Sequence, residues 1–167
     1  TRRHHAVASQ ERNDCPAPTD ISILGNVILN CDRRNSEPST PRGILLQGCK
    51  RFSIAGNVIN KTVSDGICLI PNTVGCSHGV VTGNTIYQAG ITVDSTAGVP
   101  GQGIRVQDGF DITISGNHAF ESREGGLRVH GSTDRIVITG NDFQKNGKSG
   151  MEIQNTRDFV VSDNLSV

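Results

Sequence analysis

An all-β solenoid is the fold class this sequence predicts, and three patterns carry the prediction. An apolar alternation closed by Gly-Asn or Asp-Asn comes round six times: Ile21-Ser-Ile-Leu-Gly-Asn26, Phe52-Ser-Ile-Ala-Gly-Asn57, Gly79-Val-Val-Thr-Gly-Asn84, Ile112-Thr-Ile-Ser-Gly-Asn117, Ile136-Val-Ile-Thr-Gly-Asn141 and Phe159-Val-Val-Ser-Asp-Asn164. These asparagines are 31, 27, 33, 24 and 23 residues apart, a period that means one supersecondary unit per repeat stacked on its neighbours. A second phrase precedes five of the turns: Gly43-Ile-Leu-Leu, Gly66-Ile-Cys-Leu, Gly103-Ile-Arg-Val, Gly126-Leu-Arg-Val and Gly150-Met-Glu-Ile. Composition is the third pattern. With 34% hydrophobic residues and 20 glycines in 167, the chain suits many short strands around a narrow core.

Each element follows from one coil. Gly126-Leu-Arg-Val-His reads as a short strand with Leu127 and Val129 on one face and Arg128 and His130 on the other. Gly131-Ser-Thr-Asp is a turn. Arg135-Ile-Val-Ile-Thr is a second strand with Ile136 and Ile138 inward. Gly140-Asn141 turns again, because Gly and Asn accept a left-handed backbone at least cost. Phe143 opens a third strand, and Gly150 begins the next coil. Three strands in about 23 residues make the rung of a right-handed parallel β-helix, here about six coils. Three insertions interrupt the rhythm: Leu29 to Arg42, Gln88 to Gln102, and Pro71 to Ser77. Residues 1–19 form a lead-in or a degenerate first coil, and residues 20–167 form the β-helix domain. The last coil stops three residues past Asn164 without a cap. The chain therefore reads as a segment of a larger protein, or as one whose ends are completed by other chains.

Stacking at about 4.8 Å per rung turns the six asparagines into a ladder of amides bonded to one another and to turn backbone. The inward positions Ile23, Ile54, Val81, Ile114, Ile138 and Val161 are all β-branched, as a stacked aliphatic core prefers. Cys49 and Cys76 each lie eight residues before their asparagine and should stack on adjacent rungs, as a buried thiol pair or, with a twist of the strands, a disulfide. Five cysteines without a CxxC pair give no zinc signature.

Balanced charge, 16 basic against 16 acidic residues with pI near 6.9, argues against a nucleic-acid surface. No apolar run approaches the roughly 20 residues that span a bilayer, and the polar start at Thr1-Arg-Arg-His-His shows no secretion signal.

With its repeated Ile-x-Ile-x-Gly-Asn and Gly-Ile-x-Val phrases, the chain resembles the pectate-lyase-like superfamily of right-handed β-helices over about Asp20 to Val167. That resemblance implies polysaccharide work, by lyases, polygalacturonases, uronan epimerases or trimeric phage tailspike depolymerases. Purely structural and adhesive members share the fold. The active-site signatures of the enzymes do not carry over. There is no Asp-Pro-His-Glu. Asn155-Thr-Arg-Asp and Gly131-Ser only approach the polygalacturonase motifs, and the Arg-centred pectate-lyase pattern is missing.

The outward face of the Gly-Ile-x-Val strand is the candidate site. One column stacks Leu45, Cys68, Arg105, Arg128 and Glu152, and beside it run Gln47, Ile70, Gln107, His130 and Gln154. Arg supplies paired donors for a carboxylate, and Gln and His read hydroxyls. Arg105, Arg128, Gln107 and Gln154 are the expected substrate contacts. Arg105, Arg128, His130 and Glu152 are the candidates for lyase or hydrolase chemistry. The competing reading is a solvated strand face with Arg128 and Glu152 as a cross-strand ion pair. Apolar Leu45, Cys68 and Ile70 would contact an insertion or another subunit. The insertions, with Asp32, Arg33, Arg34, Glu37 and Asp94, wall the face or merely decorate it. Asp108, Asp111, Asp134 and Asp158 read as turn residues, with a calcium site as the alternative. His118 reads as an exposed turn residue. With no Trp and a single Tyr, Tyr87, sugar-stacking platforms are thin. The expectation is an extracellular, cell-surface or virion β-helix that binds an acidic polysaccharide, in a depolymerase or in a non-catalytic fibre. It needs no cofactor unless calcium, and is a homo-oligomer such as a trimer or continues into a longer chain.

Overall fold

The computed structural model describes residues 17–31, 41–91 and 100–166, and the backbone alone of residues 5–10. The insertion residues Asp32, Arg33, Arg34, Glu37 and Asp94 fall outside these. Among the described residues, eighteen strands wind in six rungs of three. The first rung is β1 (His5–Gln10), β2 (Thr19–Leu24) and β3 (Val27–Cys31); the second is β4 (Arg42–Gln47), β5 (Lys50–Ala55) and β6 (Val58–Thr62). The third is β7 (Ile67–Ile70), β8 (Ser77–Thr82) and β9 (Thr85–Ala89); the fourth is β10 (Ile104–Gln107), β11 (Phe110–Ser115) and β12 (His118–Phe120). The fifth is β13 (Gly125–His130), β14 (Thr133–Thr139) and β15 (Asp142–Phe143), and the sixth is β16 (Ser149–Ile153), β17 (Thr156–Ser162) and β18 (Leu165–Ser166). First, second and third strands of successive rungs pair in parallel, so the molecule has three six-stranded sheets and, among the described residues, no helix. The lead-in takes part: β1 pairs with β4, Val7 against Ile44.

Register follows the repeat. Ile23, Ile54, Val81, Ile114, Ile138 and Val161 stand opposite one another along the second sheet. The second-sheet core residues Ile54, Val81, Ile114 and Ile138 are wholly buried, as are Ile44, Leu46, Leu69 and Val106 of the first sheet and Ile59, Ile86 and Phe143 of the third. Period-two alternation puts these side chains in the lumen and their neighbours outside.

The ladder is built as the repeat implies. Asn84 and Asn117 are typical: the Asn84 backbone N–H and Nδ2 donate to Asn117 Oδ1 at 3.0 and 2.9 Å, and Asn117 does the same to Asn141 Oδ1 at 2.9 Å. Asn117 Nδ2 also donates to the Val81 carbonyl at 2.9 Å and the Ser115 carbonyl at 3.2 Å. The left-handed residue at each turn is the one before the asparagine, Gly25, Gly56, Gly83, Gly116, Gly140 or Asp163. Glycine there serves the backbone, and the asparagine serves the ladder.

The glycine that opens each first-sheet strand answers to space. A methyl group on Gly103 would lie 2.5 Å from Ala119 Cβ and 2.6 Å from the Gly126 carbonyl oxygen; on Gly66 it would lie 2.5 Å from Ile86 Cγ2 and 2.7 Å from the Gly103 oxygen. The lumen residue of the third sheet occupies the place that a side chain would need.

A further column was not foreseen. Asp20, Arg51, His78, Asp111, Arg135 and Asp158, each just before the inward run of the second sheet, all have φ between 46° and 59°. Ladder pairing skips them, Thr19 and Ile21 meeting Lys50 and Phe52. Each is a left-handed bulge rather than a turn. Opposite charges pair along the column, with Arg51 on Asp20 at 2.7 Å and Arg135 bidentate on Asp111 at 2.5 and 2.8 Å.

Candidate functional site

The outer face of the first sheet brings the predicted columns together. Leu45 pairs with Cys68, Cys68 with Arg105, Arg105 with Arg128, and Arg128 with Glu152; Gln107 pairs with His130. Gln154 extends the second column beyond His130, its N–H donating to the Val129 carbonyl at 2.9 Å. The face has two halves. At the early rungs Leu45 and Cys68 are already buried within the single chain, so no second subunit is needed to cover them. Burial first, and then the Asp65 carboxylate, push the Cys68 thiol up, so it stays an S–H group. At the later rungs the face is polar and half-exposed.

Each nitrogen of Arg105 faces a protein group. Its Nε donates to His130 Nε2 at 3.1 Å, its Nη2 to Gln107 Oε1 at 2.8 Å, and its Nη1 lies 3.9 Å from the Asp65 carboxylate. Burial, then Arg105 and Arg128, hold His130 below the ordinary imidazole range against Asp108 and Glu152. Its Nε2 lone pair is therefore occupied, which does not suit a general base. Glu152 is also committed, accepting from Gln154 Nε2 at 2.5 Å and facing Arg128 Nε at 3.4 Å. The cross-strand pair of Arg128 and Glu152 exists, but as a charge contact without hydrogen-bond geometry: Arg128 Nε is buried and makes no hydrogen bond.

Beside Arg128 the face opens into a cavity of about 240 Å³ lined by Gln102, Glu124, Arg128, Lys148, Ser149 and Glu152. Lys148 Nζ is 2.7 Å from Glu124 Oε1, and Gln102 Nε2 donates to Glu124 Oε2 at 2.8 Å. Burial alone would raise the Glu124 carboxyl, but Lys148, Gln102 and Arg128 together bring it below its ordinary value. The cavity thus presents two cations, two carboxylates, an amide and a hydroxyl. Gln102, Glu124, Lys148 and Ser149 lie one or two residues before the repeat glycine, outside the strand phrase that marks the strip. The residue just before that glycine is Arg42, Asp65, Gln102, Gly125 or Ser149, polar in four copies of five; this was the missed signal.

The turn aspartates hold protein groups. Asp108 Oδ1 accepts from the Ser132 backbone N–H at 2.6 Å, and Asp134 pairs with Arg135 at 2.8 Å. Among the described residues, no three His, Cys, Asp or Glu side chains converge as a metal site. His118 is exposed but opens β12, facing Asp142 at 3.6 Å. Tyr87 and Phe120 meet at 5.0 Å between ring centroids, tilted by 45°, on the third sheet, away from the strip. Cys49 and Cys76 are buried and in contact across adjacent rungs without a disulfide between them.

No curated protein matches the chain. Among solved structures it is similar to the periplasmic alginate epimerase AlgG, at 15% identity over 96% of this chain and 36% of that one, with a TM-score of 0.69. It is also similar to the enzymatically active domain of bacteriophage CBA120 tailspike protein 2, at 15% identity over 83% of this chain and 22% of that one, with a TM-score of 0.57. The chain thus spans about a third of the length of the epimerase it resembles. At this identity the likeness is one of fold. Residues 11–143 match the family described as the right handed beta helix region, and the chain belongs to that family.

Proposed function

We propose that this chain is the glycan-binding segment of a β-helix that acts on an acidic polysaccharide outside the cytoplasm, with the outer face of the first sheet as its binding strip. The observation that carries this reading is Arg128, a half-buried guanidinium whose Nε makes no hydrogen bond, lining a cavity with Lys148 beside it. A sugar carboxylate entering the cavity can take the place of Glu152 against this guanidinium, with Lys148 as a second cation. Glu124, Gln102 and Ser149 accept from or donate to hydroxyls, and Gln107 and Gln154 continue the strip on either side. That an alginate epimerase shares the fold agrees with an acidic polymer as ligand. Within this reading Arg105, Arg128, Gln107 and Gln154 bind. A depolymerising step would draw its acid and base from Glu124 and Glu152, once the ligand displaces Lys148 and Arg128 from them.

The second reading is a non-catalytic fibre or adhesion β-helix, assembled as an oligomer. It is favoured by the pairs Arg128 with Glu152 and Lys148 with Glu124, which tie neighbouring rungs without any ligand. Calorimetric titration with oligomers of alginate and pectate, and with neutral dextran as control, separates the two. We expect binding to a uronate oligomer alone, weakened at least tenfold by Arg128→Ala with Lys148→Ala. Arg105→Ala with Arg128→Ala should abolish it. Absorbance of unsaturated product and reducing-end assays then report cleavage. No binding to any uronate polymer would overturn the proposal in favour of the fibre.

A further inference from the structure

Beneath the strip runs a buried polar chain. Asp65, wholly buried, accepts the Gln102 backbone N–H at 3.1 Å through Oδ1, and its Oδ2 lies 3.5 Å from Arg42 Nε and 3.9 Å from Arg105 Nη1. From there Arg105 reaches Gln107 and His130. A guanidinium has donors and no acceptor, so in its contact with His130 the imidazole Nε2 must accept. A neutral imidazole that accepts at Nε2 carries its proton on Nδ1. A carboxylate buried with two guanidiniums and a backbone N–H is costly to leave half-paired, so the geometry of Arg105 is tightly specified.

We propose that Asp65 is a positioning residue for His130, acting through Arg105, and that this chain fixes His130 as an Nδ1–H donor facing an acceptor-rich sugar, a uronate, on the strip. For its ligand this inference rests on the function proposed above; for the tautomer it does not. The charged groups around His130 are Arg105 on β10, Arg128 on its own strand, Asp108 after β10, and Glu152 on β16. Burial first, and then the two guanidiniums, disfavour a second proton on the ring. The cationic contacts are left to Arg128 and Lys148, and His130 reads a hydroxyl or carboxylate oxygen by its single fixed proton.

The test is ¹⁵N NMR of the imidazoles of the whole chain, which distinguishes the two neutral tautomers and the imidazolium. Wild-type His130 should show the Nδ1–H pattern at pH 7.5. Arg105→Met, which keeps the stem and removes the donor, should shift it toward the ordinary Nε2–H form and raise the pH at which it titrates. Asp65→Asn, which can still accept from Gln102, should move it in the same direction and weaken uronate binding about tenfold. A purely structural role for Asp65 would leave the tautomer alone in any variant that folds. Should Asp65→Asn not fold, Asp65→Ser takes its place in the same comparison, and Arg105→Met tests the contact with His130 by itself. Wild-type His130 in the Nε2–H form, or an unchanged Nδ1–H pattern in folded Arg105→Met, overturns the inference. Addition of an alginate oligomer should shift the wild-type His130 resonances; the expected tautomer with no such shift overturns the glycan reading and leaves the Asp65–Arg105–His130 chain standing.

Discussion

Replacing Asn117 by alanine tests whether the ladder or the aliphatic lumen holds adjacent rungs in register. Asn117 is wholly buried. Its side chain takes both donors of Asn84, the backbone N–H at 3.0 Å and Nδ2 at 2.9 Å. Its own Nδ2 serves the carbonyls of Val81 and Ser115 and Asn141 Oδ1. Alanine strands the Asn84 N–H outright. Other losses are cushioned: Asn84 Nδ2 keeps the Ile54 carbonyl, the Ser115 carbonyl keeps the Gly83 N–H, and Asn141 Oδ1 keeps the backbone N–H at position 117. One orphaned buried donor at about 1–3 kcal/mol, plus the net loss of two or three satisfied bonds at about 1 kcal/mol each, gives a cost of about 4 kcal/mol. Asn26, exposed at the first rung, donates to Asn57 Oδ1 and the Leu24 carbonyl, and no donor among the described residues reaches its own Oδ1. Asn26→Ala strands nothing buried and should cost less than about 1 kcal/mol. Urea unfolding followed by far-ultraviolet circular dichroism, fitted for midpoint and slope, measures both. Equal costs for the two would refute the ladder as the source of inter-rung stability and return that role to the apolar stack.

Gly103→Ala forces a methyl group against Ala119 and the Gly126 carbonyl, and should destabilise by about 3 kcal/mol. Gly83→Ala, where space is open but φ is +59°, should cost about 1 kcal/mol; the order of their melting temperatures is the check. Arg51 holds the Asp20 carboxyl down at about 2, from an ordinary 3.8. Because the folded value lies below the unfolded one, this contact's contribution is complete above about pH 4 and disappears as pH falls through about 2. Arg51→Gln should return the Asp20 titration, read by ¹³C NMR, to near 3.8. Phe159 and Val161 stand in the lumen column of the sixth rung yet are 48% and 39% exposed, so the isolated 167-residue chain should self-associate in analytical ultracentrifugation. Val161→Lys should reduce that association, and a clean wild-type monomer at high concentration would count against the reasoning.

The fold was legible because its determinants recur. A side chain that must do the same thing in every rung, as Asn84 and Asn117 do or Ile114 and Ile138 do, leaves a periodic trace that one sequence suffices to show. The strip was half legible for the same reason: Arg105, Arg128 and Glu152 occupy one repeat position and land in one column. What escaped depends on neighbours rather than on period. Asp65 looks like any turn aspartate until Arg42, Arg105 and the Gln102 N–H are brought around it from the two neighbouring rungs. Glu124 gains its meaning from Lys148, 24 residues on, one rung away. The left-handed bulge was hidden because Asp, Arg and His all fill it, each tolerated at a backbone shape that the rung imposes.

The asparagine ladder has a polarity. From Asn26 to Asn141 each backbone N–H is given to the asparagine oxygen of the next rung, so every ladder oxygen from Asn57 onward receives from the N-terminal side. Among the described residues, Asn164 at the C-terminal end has no following oxygen for its backbone N–H, while Asn26 at the other end exposes an oxygen without a donor. The two end faces are therefore chemically unlike and mutually complementary, donor against acceptor. Within the ladder, two copies meeting tail to tail would oppose donors and two meeting head to head would oppose acceptors, so only a head-to-tail stack continues the ladder. Such an interface is heterologous and does not close on itself. The same amides that fix the rung spacing thus dictate the direction in which any further coil, from whatever chain, can be added.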